Sequence, residues 1–272
     1  MYKSYDLDFP NIEDYFDTLI EMIGDEYVHS FEVDFENKKK HIEKSLHDFY
    51  LGNGDLDATA LKEAWFPEIE NTHIFLSHSH KDKELAVKIA VILKYILNIN
   101  VFIDSCVWGY ADDLLREIDN KYALNINTNT YSYEVRNRTT SNIYLILQSS
   151  LMTMIDSAEC LFFLNTDNTV TSLKDQTKVE TRTSSPWIMS ELQFSSIARR
   201  RQSQYANRKN EMQLVNKAQG VANDMKFQVS HKLPTDHLKK LSPSDWHFWV
   251  ESSINKNIKG YDALTLLYES FN

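Results

Sequence analysis

The chain has 272 residues, 42% of them apolar and 25% charged, a globular balance with enough length for one large domain or one domain with additions. A formal net charge of −10 argues against a protein built to grip nucleic acid or an anionic membrane surface. Only 6 Gly and 5 Pro argue against long flexible linkers, and two cysteines, Cys106 and Cys160, make neither a disulfide framework nor a metal-type spacing. No apolar run reaches the length of a transmembrane helix, and no cationic segment leads into an apolar one near the N-terminus. The expected location is therefore a reducing cytoplasm.

Residues 1–70 read as a helical extension. Phe16, Leu19, Ile20 and Ile23 have helical spacing, with Gly24 as a stop. Phe31, Val33 and Phe35 alternate with acidic residues and suit either a short strand or a helix start. Ile42, Leu46 and Phe49 give a second amphipathic face before the Gly52-Asn53-Gly54 turn. The basic run Lys38–Lys40 is better explained as a solvated helix face than as a nucleic-acid patch.

The pattern changes at His73. The run His73 to His78 is apolar and of buried-strand type, and a polar loop, Ser79 to Lys83, follows it. Leu85, Ile89, Ile92, Leu93 and Ile96 then mark an amphipathic helix, and Val101-Phe102-Ile103-Asp104 marks a second strand. Strand, loop, helix, strand is a βαβ unit and implies a parallel sheet. Ligands of such sheets sit outside the carboxyl ends of the strands. Ser77, His78 and Ser79 fall at one such end, and Asp104 and Ser105 at the next. His78 and His80 alternate without a nearby third ligand, so loop or hydrogen-bonding roles outweigh a metal site. No Gly-x-Ser-x-Gly elbow and no glycine-rich phosphate loop is present.

Trp108 and Tyr110 lie in the loop after the second strand, where they either tuck under the fold or line a site or an oligomer contact. A helix follows over Asp112 to Ile118. Residues 120–141 turn polar and read as an insertion, and Ile143 to Ile155 resume a helix. Glu159 to Asn165 form a third, almost wholly apolar strand. A polar loop, Thr166 to Thr183, then leads to Ser184-Ser185-Pro186-Trp187, a helix start with a capping serine and proline at the first helical position. Four residues separate Trp187 from Glu191, so an aromatic ring and a carboxylate lie one turn apart on the same side. Taken alone, a glutamate in the second turn of a helix is ordinarily a solvated residue. Arg199 to Arg201 complement the helix dipole. Lys226 to Ser230 suit a late strand, and Trp246 to Ile254 and Ala263 to Phe271 suit two closing helices.

Three blocks in order resemble the bacterial form of the Toll/interleukin-1 receptor (TIR) domain: His73 to His80; Val101 to Asp104 with Gly109 and the Asp112 to Ile118 helix; and Ala158 to Asn165 followed by Trp187-x-x-x-Glu191-Leu192. The blocks cover roughly half the chain. The resemblance implies a flavodoxin-like, doubly wound α/β sheet over residues 71–235, with the insertion near 120–141 and C-terminal helices over 236–272 packed on it. It also implies an NAD+-cleaving enzyme similar to the signal-producing TIR proteins of Thoeris-type antiphage defence. Glu191 would be catalytic, and Trp187, Ser77, His78, Ser79 and Asp104 would contact substrate. NAD+ would be the substrate, with no separate cofactor and no metal. The partners implied are other copies of the chain, through a contact that includes Trp108 and Tyr110, and an effector protein reached through the product. No nucleic-acid or membrane partner is expected. Two other readings remain: a TIR scaffold that only assembles, and a nucleoside deoxyribosyltransferase-like enzyme with a helix-borne glutamate.

Overall fold

The computed structural model describes residues 2–40, 46–108, 111–175, 178–198 and 230–271. In chain order the elements are β1 (Lys3–Leu7), α1 (Ile12–Ile23), α2 (Asp25–Lys40), α3 (Ala58–Trp65), β2 (Ile74–Ser77), α4 (Lys83–Leu97), β3 (Val101–Phe102), α5 (Asp104–Val107) and α6 (Ala111–Tyr122). They continue with β4 (Leu124–Asn125), β5 (Thr130–Tyr131), α7 (Tyr133–Ser157), β6 (Cys160–Leu164), β7 (Thr171–Asp175), β8 (Lys178–Thr183) and α8 (Pro186–Ile197). The last are β9 (His231–Lys232), β10 (Lys239–Leu241), α9 (Pro243–Asn255) and α10 (Tyr261–Ser270). The fold is α/β, around a five-stranded sheet in the order β10-β1-β6-β2-β3 with every pairing parallel.

Both faces of this sheet are covered, which is why its central strands read as unbroken apolar runs. Strand residues alternate between the two covers. Tyr5, Leu7, Ile74, Leu76, Phe162 and Leu164 pack with side chains of α1, α4, α9 and α10. Phe75, Phe102, Leu161 and Phe163 pack on the other side, with side chains of α3, α6, α7 and α8. Helix α4 carries the chain from β2 to its neighbour β3; the chain then returns past β2 to β6 on the other flank. Connections therefore leave in opposite senses between β2 and β6, the position at which the carboxyl ends of a parallel sheet open a crevice.

Residues 1–70 are not a helical extension, because they begin with β1. Lys3↔Cys160 through Leu7↔Leu164 pair it with β6, and Tyr5↔Lys239 through Leu7↔Leu241 pair it with β10. Its two outward neighbours in sequence pattern, Ser4 and Asp6, are polar yet buried, which hides the strand from a hydrophobicity reading. Residues 236–272 likewise contribute the edge strand β10 as well as two helices. Residues 31–35 lie within helix α2. The polar stretch after Asn120 is shorter than an insertion over 120–141: α6 runs to Tyr122, β4 and β5 form a hairpin, and α7 has already begun at Tyr133. The loop expected over 166–183 contains the β7–β8 hairpin, extended by β9 into a three-stranded antiparallel sheet. Gly109, Tyr110, Arg199–Arg201 and all but the last residue of the strand expected over Lys226 to Ser230 lie outside the described residues, and Ser230 itself is in no strand. Among the described residues no helix is long and apolar enough to cross a membrane.

Candidate active site

Strand β2 ends at Ser77, at the crevice between β2 and β6. Helix α8 reaches the same place from β6 by way of the β7–β8 hairpin. Its start follows from local chemistry: the Ser185 hydroxyl accepts from the Ile188 amide at 3.3 Å, and Pro186 occupies the first turn, where its missing amide has no partner to lose. The second turn then carries Glu191 inward, where it is 4% exposed. Ser77 Oγ donates to Glu191 Oε2 at 2.6 Å, across 114 residues of sequence.

Burial raises the Glu191 carboxyl well above the usual carboxylate range. The nearby Asp104 carboxylate pushes it further in the same direction, and the Ser77 hydrogen bond opposes both. Asp104 opens α5 at the end of the neighbouring strand β3. Its Oδ1 lies 3.8 Å from His78 Nδ1. The His78 ring is fixed at both nitrogens: Nδ1 donates to Leu76 O at 3.0 Å, and Nε2 meets Ser105 Oγ at 2.9 Å. The Asp104 carboxylate, joined by Glu191 when that group gives up its proton, makes a local field that favours positive charge.

A cleft of about 80 Å³ adjoins this cluster, with Asp104, Ser105, Trp108, Asp112 and Trp187 among its lining residues. Trp187 is half-buried, and its ring meets Tyr144 edge to face at 5.2 Å between centroids. Glu191 is buried and is not among the residues lining the cleft.

The site residues expected from sequence divide into two groups. Ser77, His78, Asp104, Trp187 and Glu191 come together at one end of the sheet. Ser79 instead caps a 3-10 turn over His80–Asp82, accepting from the Lys81 amide at 3.4 Å. Trp108 is no surface contact: it is 2% exposed, its Nε1 donates to Pro67 O at 3.0 Å, and its ring packs on Phe66 and Phe102. A side chain buried and satisfied within its own chain is not available to a neighbour. Ser105, Tyr144 and Asp112 join the site without having been singled out as site residues. Only Ser105, at the carboxyl end of a predicted strand, carried a signal.

Asp82 joins two of the loops at this end of the sheet. Its buried carboxylate accepts from Thr166 Oγ1 at 2.5 Å, Asn168 Nδ2 at 2.6 Å and Thr169 Oγ1 at 3.2 Å. These bonds tie the loop after β2 to the loop after β6, on either side of the crevice. Among the described residues no group of three or more His, Cys, Asp or Glu side chains is placed to hold a metal ion. Comparison of the chain with protein-family models, curated proteins and solved structures gives no match.

Proposed function

We propose that the chain is a TIR-like enzyme that cleaves NAD+ at the bond between nicotinamide and ribose, with Glu191 as the catalytic carboxylate. The observation that carries this reading is the Ser77–Glu191 hydrogen bond, 2.6 Å long, at the point where the sheet's connections reverse. The strand order β3-β2-β6 matches the first three strands of a flavodoxin-like sheet. The chain departs from that fold at the next position, which β1 fills from the N-terminal side.

Nicotinamide leaves as a neutral base, taking the electron pair of the broken bond, and positive charge develops on the ribose as in glycoside hydrolysis. Burial and Asp104 hold a proton on Glu191 in the structure described, so in this reading Glu191 gives that proton up as substrate enters. The carboxylate, with Asp104 beside it, then lowers the energy of the ribose charge, and its oxygens accept the ribose hydroxyls. Trp187 covers the reacting sugar and excludes water. The ribose carbon then bonds to water or to a hydroxyl of the same or another molecule, which gives up a proton. In this reading the product is an ADP-ribose-derived signal, cyclic or conjugated, that activates an effector in antiphage defence. Ligand clefts ordinarily run to roughly 300–1,000 Å³, so the 80 Å³ cleft must widen, with Trp187 and α5 parting, to admit the substrate.

The burial of Glu191 favours a second reading, a TIR scaffold that works by assembly and binds no nucleotide. NAD+ turnover by the purified chain separates the two, with Glu191→Gln beside the wild type and the products resolved by mass spectrometry. The enzyme reading expects nicotinamide release from the wild type and a loss of roughly 100-fold or more in the variant. Equal rates in both proteins refute Glu191 as the catalytic group. No turnover from either, with lysate of phage-infected cells added, moves the assignment to the scaffold.

A further inference from the structure

Helix α7 separates the cleft from a second cavity of about 470 Å³, which lies between α3, α6 and the Gly54–Leu56 turn. Leu147 and Leu151 line the cleft, while Ile143 and Ile146 line the cavity. Its floor is apolar: Leu61, Ile118, Ile143 and Ile146 are all buried residues. The volume lies within the range of small-molecule sites, roughly 300–1,000 Å³.

The polar groups around that floor are almost all committed within the chain. Thr139 Oγ1 donates to Asp119 Oδ1 at 2.5 Å, and Asn142 Nδ2 donates to Arg138 O at 2.8 Å. The Tyr122 hydroxyl is bonded to that of Tyr50. Asp55, on the turn, accepts from Asn53 Nδ2 at 2.7 Å. Arg138 is the exception. Its neighbour Arg136 is paired with Asp119, but the Arg138 guanidinium has neither an ion pair nor a hydrogen bond among the described residues. An uncommitted guanidinium beside an apolar floor matches a ligand with a flat apolar body and a carboxylate, which the guanidinium can grip with two parallel bonds. Asp55 in the same lining repels a second negative charge, which disfavours nucleoside di- and triphosphates.

The geometry points to a binding site for a monoanionic aromatic acid, in which Arg138 holds the carboxylate and the α3–α6–α7 floor holds the ring. The site stands apart from Glu191 and does not depend on the reaction assigned to it.

Titration calorimetry with 2-naphthoate and with uncharged 2-naphthalenemethanol tests the assignment on the full chain. Naphthoate is expected to bind one to one. Arg138→Ala is expected to weaken naphthoate by roughly tenfold or more and to leave the alcohol unchanged. Ala58→Trp, at an exposed position of the lining, is expected to block both probes. Asn142→Trp, also exposed, serves if that variant fails to fold, and unchanged circular dichroism and melting certify the variants used. The assignment is overturned by no saturable naphthoate binding, by equal naphthoate affinity in Arg138→Ala, or by binding that survives the tryptophan.

Discussion

Glu191 holds its proton more tightly than a solvated glutamate because burial and the Asp104 charge both disfavour its ionised form. A carboxyl raised in the folded state adds its full stability below its unfolded value, near 4.5, and that stability is lost as pH rises toward the folded value. Glu191→Gln removes the ionising group but keeps an acceptor for Ser77. The variant should therefore melt with the wild type near pH 4 and above it at pH 8, by about 2–4 °C per kcal/mol relieved. Coincident melting curves at both pH values would mean that Glu191 is not buried as described. Ser77→Ala removes the one interaction that opposes the shift. It should move any pH profile governed by Glu191 upward and cost about 1–3 kcal/mol by leaving a buried acceptor unpaired. Asp6 obeys the same sign. Burial raises it to about 6, against an ordinary 3.8, and its Oδ1 has no hydrogen-bond partner. Asp6→Asn should stabilise the protein above pH 6, by on the order of 2–3 kcal/mol, with the gain vanishing as pH falls through the window between about 6 and 4. Urea melts at pH 4 and pH 7.5 measure it.

Asp82 ties the loops on either side of the crevice through three side-chain hydrogen bonds, beside the apolar packing of Val170. Asp82→Ala leaves Thr166, Asn168 and Thr169 without their shared acceptor. It should free the turn in which the Thr169 and Val170 amides bond to Thr166 O at 3.0 and 2.9 Å, read as faster hydrogen exchange at those amides with the α4 interior still protected. Uniformly faster exchange would instead mark Asp82 as a global stabiliser. The elements legible in the sequence are those that such interactions do not build. Strands β2, β3 and β6 are continuous apolar runs because helices cover both of their faces, and α8 announces itself through Ser185 and Pro186. Strand β1 alternates Tyr5 and Leu7 with Ser4 and Asp6, so its polar residues mask a position between two other strands. Strand β10 offers two lysines and one leucine, and the β7–β8 hairpin is mostly polar. The meeting of Ser77 and Asp104 was legible because both sit at strand ends, whereas Glu191, on α8 beyond the β7–β8 hairpin, was singled out through the Trp187-x-x-x-Glu191 spacing and the resemblance it carries. The place of Trp108 was not, because an aromatic loop residue reads the same whether it turns inward or outward, and Pro67 O supplied the buried partner that decided it.

The N-terminal segment decides what the molecule is as a whole. A dispensable extension could be removed with the α/β domain left intact. Strand β1 cannot, since it joins β6 to β10 and buries its apolar side chains beneath α9 and α10. Tyr5 and Leu7 are fully buried and Phe9 is 5% exposed. Tyr5 contacts Phe162 and Tyr268, and Phe9 contacts Trp246. At about 1.5–3 kcal/mol for each, Leu7 and Phe9 contribute about 3–6 kcal/mol, while the gain from burying the Tyr5 ring is offset by its buried, unpaired hydroxyl. Total folding stability is ordinarily only about 5–15 kcal/mol. A variant lacking residues 1–9 should therefore lose its cooperative melt, or fail to accumulate as folded protein, and β10 should detach with α9 and α10. Limited proteolysis would then cut first between β9 and α10, whereas the intact chain should resist there. A truncated protein that melts within about 2 °C of the full chain would refute the sheet order β10-β1-β6-β2-β3 and restore residues 1–70 to the status of an extension.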